Sequence, residues 1–238
     1  MTPWKQALER QLSEAEAPPV LSLSALTRVA QSVRGAVVPT STLQLWIRDA
    51  IARHRLGPVI RGLYLNLFTS PPGRLADAVP HLRRDAVVSL HSALDEAGAY
   101  NNPPVGVTAI LPLDTGPTRP VVGRVTTGQG PVYFRAMPRK LLEAGDVDDR
   151  LDFNKSGSHP HATPEKALLD WLYLAASSRS TLAPPAPHDL DMTMLSKSRL
   201  NRLAGHMGLR DVLEDWLAGK FLVRKPTAAR HILNVTEQ

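Results

Sequence analysis

Leu43, Trp46, Ile47, Ala50 and Ile51 recur at the i, i+3, i+4, i+7, i+8 spacing that lines one side of a helix with apolar side chains. The spacing predicts a helix from about Thr40 to Arg55, with Thr40 or Ser41 capping its start and Gly57-Pro58 stopping it. Gln44, Arg48, Ala52 and Arg55 fall on its other face. Val59-Ile60 and Leu63-Tyr64-Leu65 then flank Arg61-Gly62, where glycine supplies a positive φ for a hairpin with an arginine at its tip. Upstream, Leu23, Leu26, Val29, Ala30 and Val33 predict a helix over Ser22 to Val33, broken at Arg34-Gly35. Trp4, Leu8 and Leu12 predict another over Pro3 to Glu16, ended by Pro18-Pro19.

Beyond the turn-rich Ser70-Pro71-Pro72-Gly73 the pattern changes. A short helix is expected over Leu75 to Leu82 and a buried strand over Ala86 to Ser89, followed by a helix that ends at Gly98. Three β-prone runs, Val105–Leu111, Val121–Thr126 and Val132–Ala136, are separated by turns such as Asp114-Thr115-Gly116-Pro117. Thr163, Pro164 and Glu165 form a helix start as cap, first-turn proline and dipole-facing acid, and Ala167, Leu168, Trp171, Leu172 and Ala175 supply its buried stripe. Ala183 to Pro187 reads as a stiff linker before helices over Asp189–Ala204 and Leu209–Leu217.

Together these elements predict an α+β chain in three parts. Residues 1–70 have the element order of a winged helix-turn-helix; 74–182 form a mixed α/β domain; 188–238 form a helical C-terminal extension.

Composition narrows the class. The 238 residues are 43% hydrophobic and 21% charged, the balance of a soluble globular protein. Absence of an apolar run near 18 residues and of an export signal leads to the expectation of a cytoplasmic protein away from membranes. Cysteine is absent, which excludes disulfides and thiolate metal sites. The net charge of +6 is unevenly spread. Residues 1–74 hold nine Lys and Arg against four Asp and Glu, residues 75–196 eleven against fourteen, and residues 197–238 eight against four.

A basic helix-and-hairpin element suits double-stranded DNA, because clustered cations attract phosphate and a helix fits the major groove. On this reading Gln44 and Arg48 reach base edges. Thr40, Ser41 and Thr42 contact phosphate or bases at the helix start, Arg53 and Arg55 add phosphate contacts, and Arg61 reaches the adjacent backbone or minor groove.

Catalytic patterns are weak. Ser89, His91 and Asp95 lack a nucleophile elbow; Gly128-Gln129-Gly130 lacks the third glycine of a dinucleotide loop; Asp146, Asp148, Asp149 and Asp152 lack the glycine and final glutamate of a calcium loop; His159 and His161 flank a proline without further ligands. Neither an active site, a metal nor a cofactor is expected. Lys166 and Asp170 are read as an i, i+4 pair on a structural helix.

Arg61-Gly62-Leu63-Tyr64, Val88 to Leu94 with Gly98, and above all Ala162-Thr163-Pro164-Glu165-Lys166-Ala167-Leu168-Leu169-Asp170 resemble, over about residues 20–175, the AbiEi-like antitoxins of type IV toxin–antitoxin systems. The resemblance implies a winged helix-turn-helix that binds inverted repeats in its own promoter and represses its operon. It also implies a second domain that neutralises a nucleotidyltransferase toxin without a stable complex. A palindromic site implies two copies, as a homodimer or cooperatively on DNA. The alternatives are a module that docks on a toxin directly and a nucleic-acid-modifying enzyme housed in residues 75–180.

Overall fold

The computed structural model describes residues 2–116, 119–152, 159–177 and 182–220. Pro117 of the expected turn and the basic residues Arg224, Lys225 and Arg230 of the expected extension lie outside the described residues. Within them the chain forms ten α-helices and two β-sheets, an α+β fold. It divides into two compact units, the first taking in residues 2–82, 126–131 and His159, the second most of the remainder.

The first unit begins with α1 (Pro3–Leu12), where proline costs nothing because the first-turn N–H groups have no helical partner. The helix is shorter than the spacing predicts: Ser13 turns its hydroxyl onto the Arg10 carbonyl (2.8 Å) and stops it. Strand β1 (Val20–Ser22) follows, then α2 (Leu23–Arg34), capped by the Ser22 hydroxyl accepting from the Ala25 N–H (3.1 Å) and closed by Gly35 at φ 68°. Ser22→Ala is expected to lower stability by about 1 kcal/mol in urea denaturation.

Helix α3 (Thr40–Ala52) differs from expectation at both ends. Pro39 stands at the cap position, so neither Thr40 nor Ser41 caps it. It ends three residues before Arg55, with His54 at φ 54°, and Gly57-Pro58 lies inside β2 (Leu56–Ile60) instead of stopping the helix. A Cβ at Gly57 would meet the Gln129 side chain at 3.1 Å and that of Leu65 at 3.3 Å, so glycine fits closely there. Gly62 (φ 80°) turns the chain into β3 (Leu63–Asn66).

The sheet order is β1-β3-β2, antiparallel throughout. Leu8, Leu26, Leu43, Trp46, Ile47 and Phe68 fill the core, with Trp46 stacked on Phe68 at 6.3 Å. Asn66, fully buried, donates to the carbonyls of Leu12 (2.9 Å) and Pro18 (3.1 Å) and accepts from Phe68, tying α1 to the sheet. A 3-10 turn (Leu75–Ala78) and α4 (Val79–Leu82) complete this part of the unit.

The second unit contains β4 (Val87–Val88), α5 (His91–Glu96), β5 (Val107–Leu113), most of β6 (Gly123–Thr127) and of β7 (Gly130–Pro138), α6 (Arg139–Leu142), α7 (Val147–Arg150), α8 (Pro164–Ala176), α9 (Lys197–Met207) and α10 (Arg210–Leu217). Its strands are ordered β4-β5-β7-β6; β4 pairs antiparallel and β7 parallel with β5.

Helix α8 begins as its sequence predicts, with the Thr163 hydroxyl accepting from the Lys166 N–H (3.4 Å). It is buried around nearly its whole circumference, however, because α5, α7, α9 and α10 all pack on it. The helix expected over Asp189–Ala204 starts only at Lys197, where the Ser196 hydroxyl accepts from the Arg199 N–H; two 3-10 turns precede it.

Arg202 grips Asp149 with both guanidinium arms (2.8 and 2.9 Å) and holds its carboxyl below the usual range. That contribution to stability is present above about pH 4 and is lost as pH falls below it. Arg202→Ala is expected to flatten the acid-side slope of a urea titration series.

Candidate nucleic-acid interface

Four residues of α3, Leu43, Trp46, Ile47 and Ala50, face the core. With about 100° between successive residues, the direction opposite them falls among Ser41, Leu45, Arg48 and Ala52, with Gln44 and Asp49 on the flanks. All six are exposed. The outward face is therefore centred on Leu45 and Arg48, and Gln44 lies to one side. Leu45 is 55% exposed and escaped the sequence reading, which sorted positions by polarity; its helical phase alone could have placed it.

Thr40 is exposed and Thr42 half-buried, one turn earlier. The α3 start and α2 together border a groove lined by Leu23, Ser24, Thr27, Arg28, Thr40 and Leu43. Ser24 and Arg28 are exposed there, an anion-compatible group that sequence reasoning also missed. Spacing of four on α2 was the available signal.

The remaining expected arginines differ in their freedom. Arg53 donates to Glu9 (2.8 Å) and lies 2.9 Å from Asp49, and the Glu9 hydrogen bond chiefly raises its pKa. Such an exposed pair is worth under about 1 kcal/mol, so Arg53 is tethered, not immobilised. Arg55 lies over the Phe68 ring at 4.9 Å, with its side chain exposed. Arg61 sits at the β2–β3 turn, exposed, and neither it nor Arg48 makes an ion pair among the described residues. Thr40, Ser41, Gln44 and Arg48 thus share one helix, while Arg53, Arg55 and Arg61 follow on the turn and hairpin.

Among solved structures the chain is similar to the crystal structure of the RV2827C protein from Mycobacterium tuberculosis. The TM-score is 0.54 at 19% identity, covering 100% of this chain and 83% of that one. That likeness speaks for the fold. No family model and no curated protein matches the sequence.

In the second unit, polar residues that suggest catalysis are occupied with one another. Ser89 donates to Asp170 (2.8 Å) and not to His91; Lys166 donates to the other oxygen of Asp170. Ser89, Lys166 and Asp170 are each exposed by 1% or less. The strained position beside them is Leu90 (φ 56°), an apolar side chain buried in the core. His91 packs on Trp171 at 5.6 Å, and burial, with Arg135 nearby, lowers its pKa to about 4, leaving it neutral at pH 7.

His159 pairs with Asp77 (3.0 Å), whereas His161 lies 3.2 Å from Glu96, so the two histidines serve different partners. Among the described residues no cluster of three or more His, Asp or Glu could hold a metal ion. Lys166 and Asp170 border a cavity of about 80 Å³ with Arg139 and Glu143, which pair with each other at 2.9 Å. That volume accommodates a few water molecules. No described helix is long and apolar enough to cross a membrane.

Proposed function

We propose that the chain is a sequence-specific DNA-binding repressor of its own operon and the antitoxin of an AbiEi-like type IV pair, its first unit being a winged helix-turn-helix. The observation that carries the DNA reading is the exposed face of α3, with Arg48 free of ion pairs among the described residues and Ser41, Leu45 and Gln44 beside it. Element order supports the winged form: helix, short strand, two helices and a hairpin, with the short strand paired to the second hairpin strand. Net charge adds to it, since the nine cations of residues 1–74 gain from releasing counterions on phosphate.

In this reading α3 enters the major groove and Arg61 at the hairpin turn reaches the adjacent backbone or minor groove. Arg28, Ser24 and Thr40 meet phosphate from the groove between α2 and α3. The second unit contributes a non-catalytic scaffold to toxin neutralisation, in keeping with the self-satisfied Ser89–Asp170–Lys166 network.

The test is fluorescence anisotropy of the full chain on its own upstream DNA and on a scrambled duplex across a salt series. Tight binding to the first alone, falling steeply with salt, is the expected result. Equal weak binding to both would sink the repressor reading and leave the basic unit as a protein-docking element. Arg61→Ala is expected to weaken binding almost uniformly across sequences and to reduce the salt slope by about one. The antitoxin role is tested by co-expression with the adjacent reading frame, where rescue of growth is expected; a toxic neighbour left unchecked would overturn it.

A further inference from the structure

Among the described residues nothing covers Leu45. The core side of α3 is complete without it: Leu43, Trp46, Ile47 and Ala50 are each exposed by 4% or less, while Leu45 stands 55% exposed at the centre of the opposite face. On a helix turned toward water an apolar side chain gains nothing there. On a helix seated in the major groove it meets the one apolar group that base edges present, the C5-methyl of thymine.

Resting on the DNA reading above, we propose that Leu45 is a specificity-determining residue that recognises a thymine methyl in the bound site. The same geometry places that thymine relative to the base contacted by Arg48. Three residues of helix advance about 4.5 Å and one base step about 3.4 Å, so the two contacts fall on neighbouring base pairs. Arg48, a donor fork, suits the O6 and N7 of guanine. The half-site therefore contains a thymine within one step of a guanine, both read from one turn of α3. Ser41, one turn earlier on the same stripe, is left for backbone or the next pair.

The experiment begins with a duplex selected from a random pool by the full-length protein. Each thymine of that duplex is then replaced singly by deoxyuridine, which removes the methyl and leaves base pairing intact. One thymine per half-site is expected to lose about fourfold in affinity, the value of one buried methyl group. Leu45→Ala is expected to weaken binding to the parent duplex by a similar factor and to abolish the sensitivity at that thymine. Circular dichroism checks that this surface substitution leaves the fold intact.

Two results would overturn the inference while sparing the DNA reading: selective binding with no thymine sensitive to demethylation, or a sensitivity that survives unchanged in Leu45→Ala. If the pool yields no selected sequence, the DNA reading and the inference fall together.

Discussion

Asp170→Ala is expected to destabilise the second unit by about 3–5 kcal/mol, because it leaves the Lys166 ammonium buried without its counter-charge. The Lys166 side chain is 2% exposed and that of Asp170 0%, and Ser89 loses its acceptor in the same substitution. A loss of this size is a large share of the 5–15 kcal/mol typical of a whole domain. Urea denaturation at pH 7 measures it. Trp171 and Trp216 lie in this unit and Trp4 and Trp46 in the first, so a background with Trp4→Phe and Trp46→Phe lets intrinsic fluorescence report the relevant transition when the two units unfold separately. Replacing both partners together, Lys166→Met with Asp170→Leu, is expected to cost far less, since the burden lies in the unpaired charge and not in the pair's net worth. A loss below about 1 kcal/mol in Asp170→Ala would mean that water reaches the ammonium.

Arg48→Ala is expected to cost about 1–3 kcal/mol of binding free energy on the cognate duplex, roughly fivefold to 150-fold in Kd. The substitution removes an exposed side chain that makes no ion pair among the described residues, so the fold is not at issue. The signature lies in specificity: affinity for scrambled DNA changes little, and discrimination at one base pair relaxes. Arg61→Ala behaves in the opposite way, losing affinity on every sequence. Anisotropy titrations of both variants on both duplexes separate a base-reading contact from a phosphate contact. Equal losses on cognate and scrambled DNA in Arg48→Ala would reassign Arg48 to the backbone.

Much of the local structure was legible in the residues. Helix α8 begins where Thr163-Pro164-Glu165 says it does, because cap, proline and first-turn acid act through neighbours within one turn. The Arg61-Gly62 turn and the three β-prone runs of the second unit also appear, since glycine at positive φ and β-branched runs are local signals. The end of α3 was misjudged because Gly57-Pro58, a helix-stopping pair by composition, lies inside β2, where Gly57 and Pro58 pair with Leu65 and Tyr64 of β3. The face of α3 was only partly legible. Polarity selected Gln44 and Arg48 and passed over Leu45, whose importance comes from being apolar where the core is elsewhere.

The sequence by itself determined the elements whose causes are short-ranged: the amphipathic helices α1 to α3, the capped start of α8, the Lys166–Asp170 spacing and the basic character of the first 74 residues. Only the tertiary structure decided that β1, three residues long, pairs with β3; that Asn66 bonds Leu12 and Pro18 across more than 45 residues; and that α8 is enclosed on nearly all sides. It also decided that Arg53 meets Glu9 while Arg48 makes no ion pair among the described residues. Caps, turns and helical stripes follow from interactions within a few residues, which spacing encodes directly. Burial of a charge, or the freedom of one, depends on which distant segments pack beside it, and that is set only when the whole chain closes its cores.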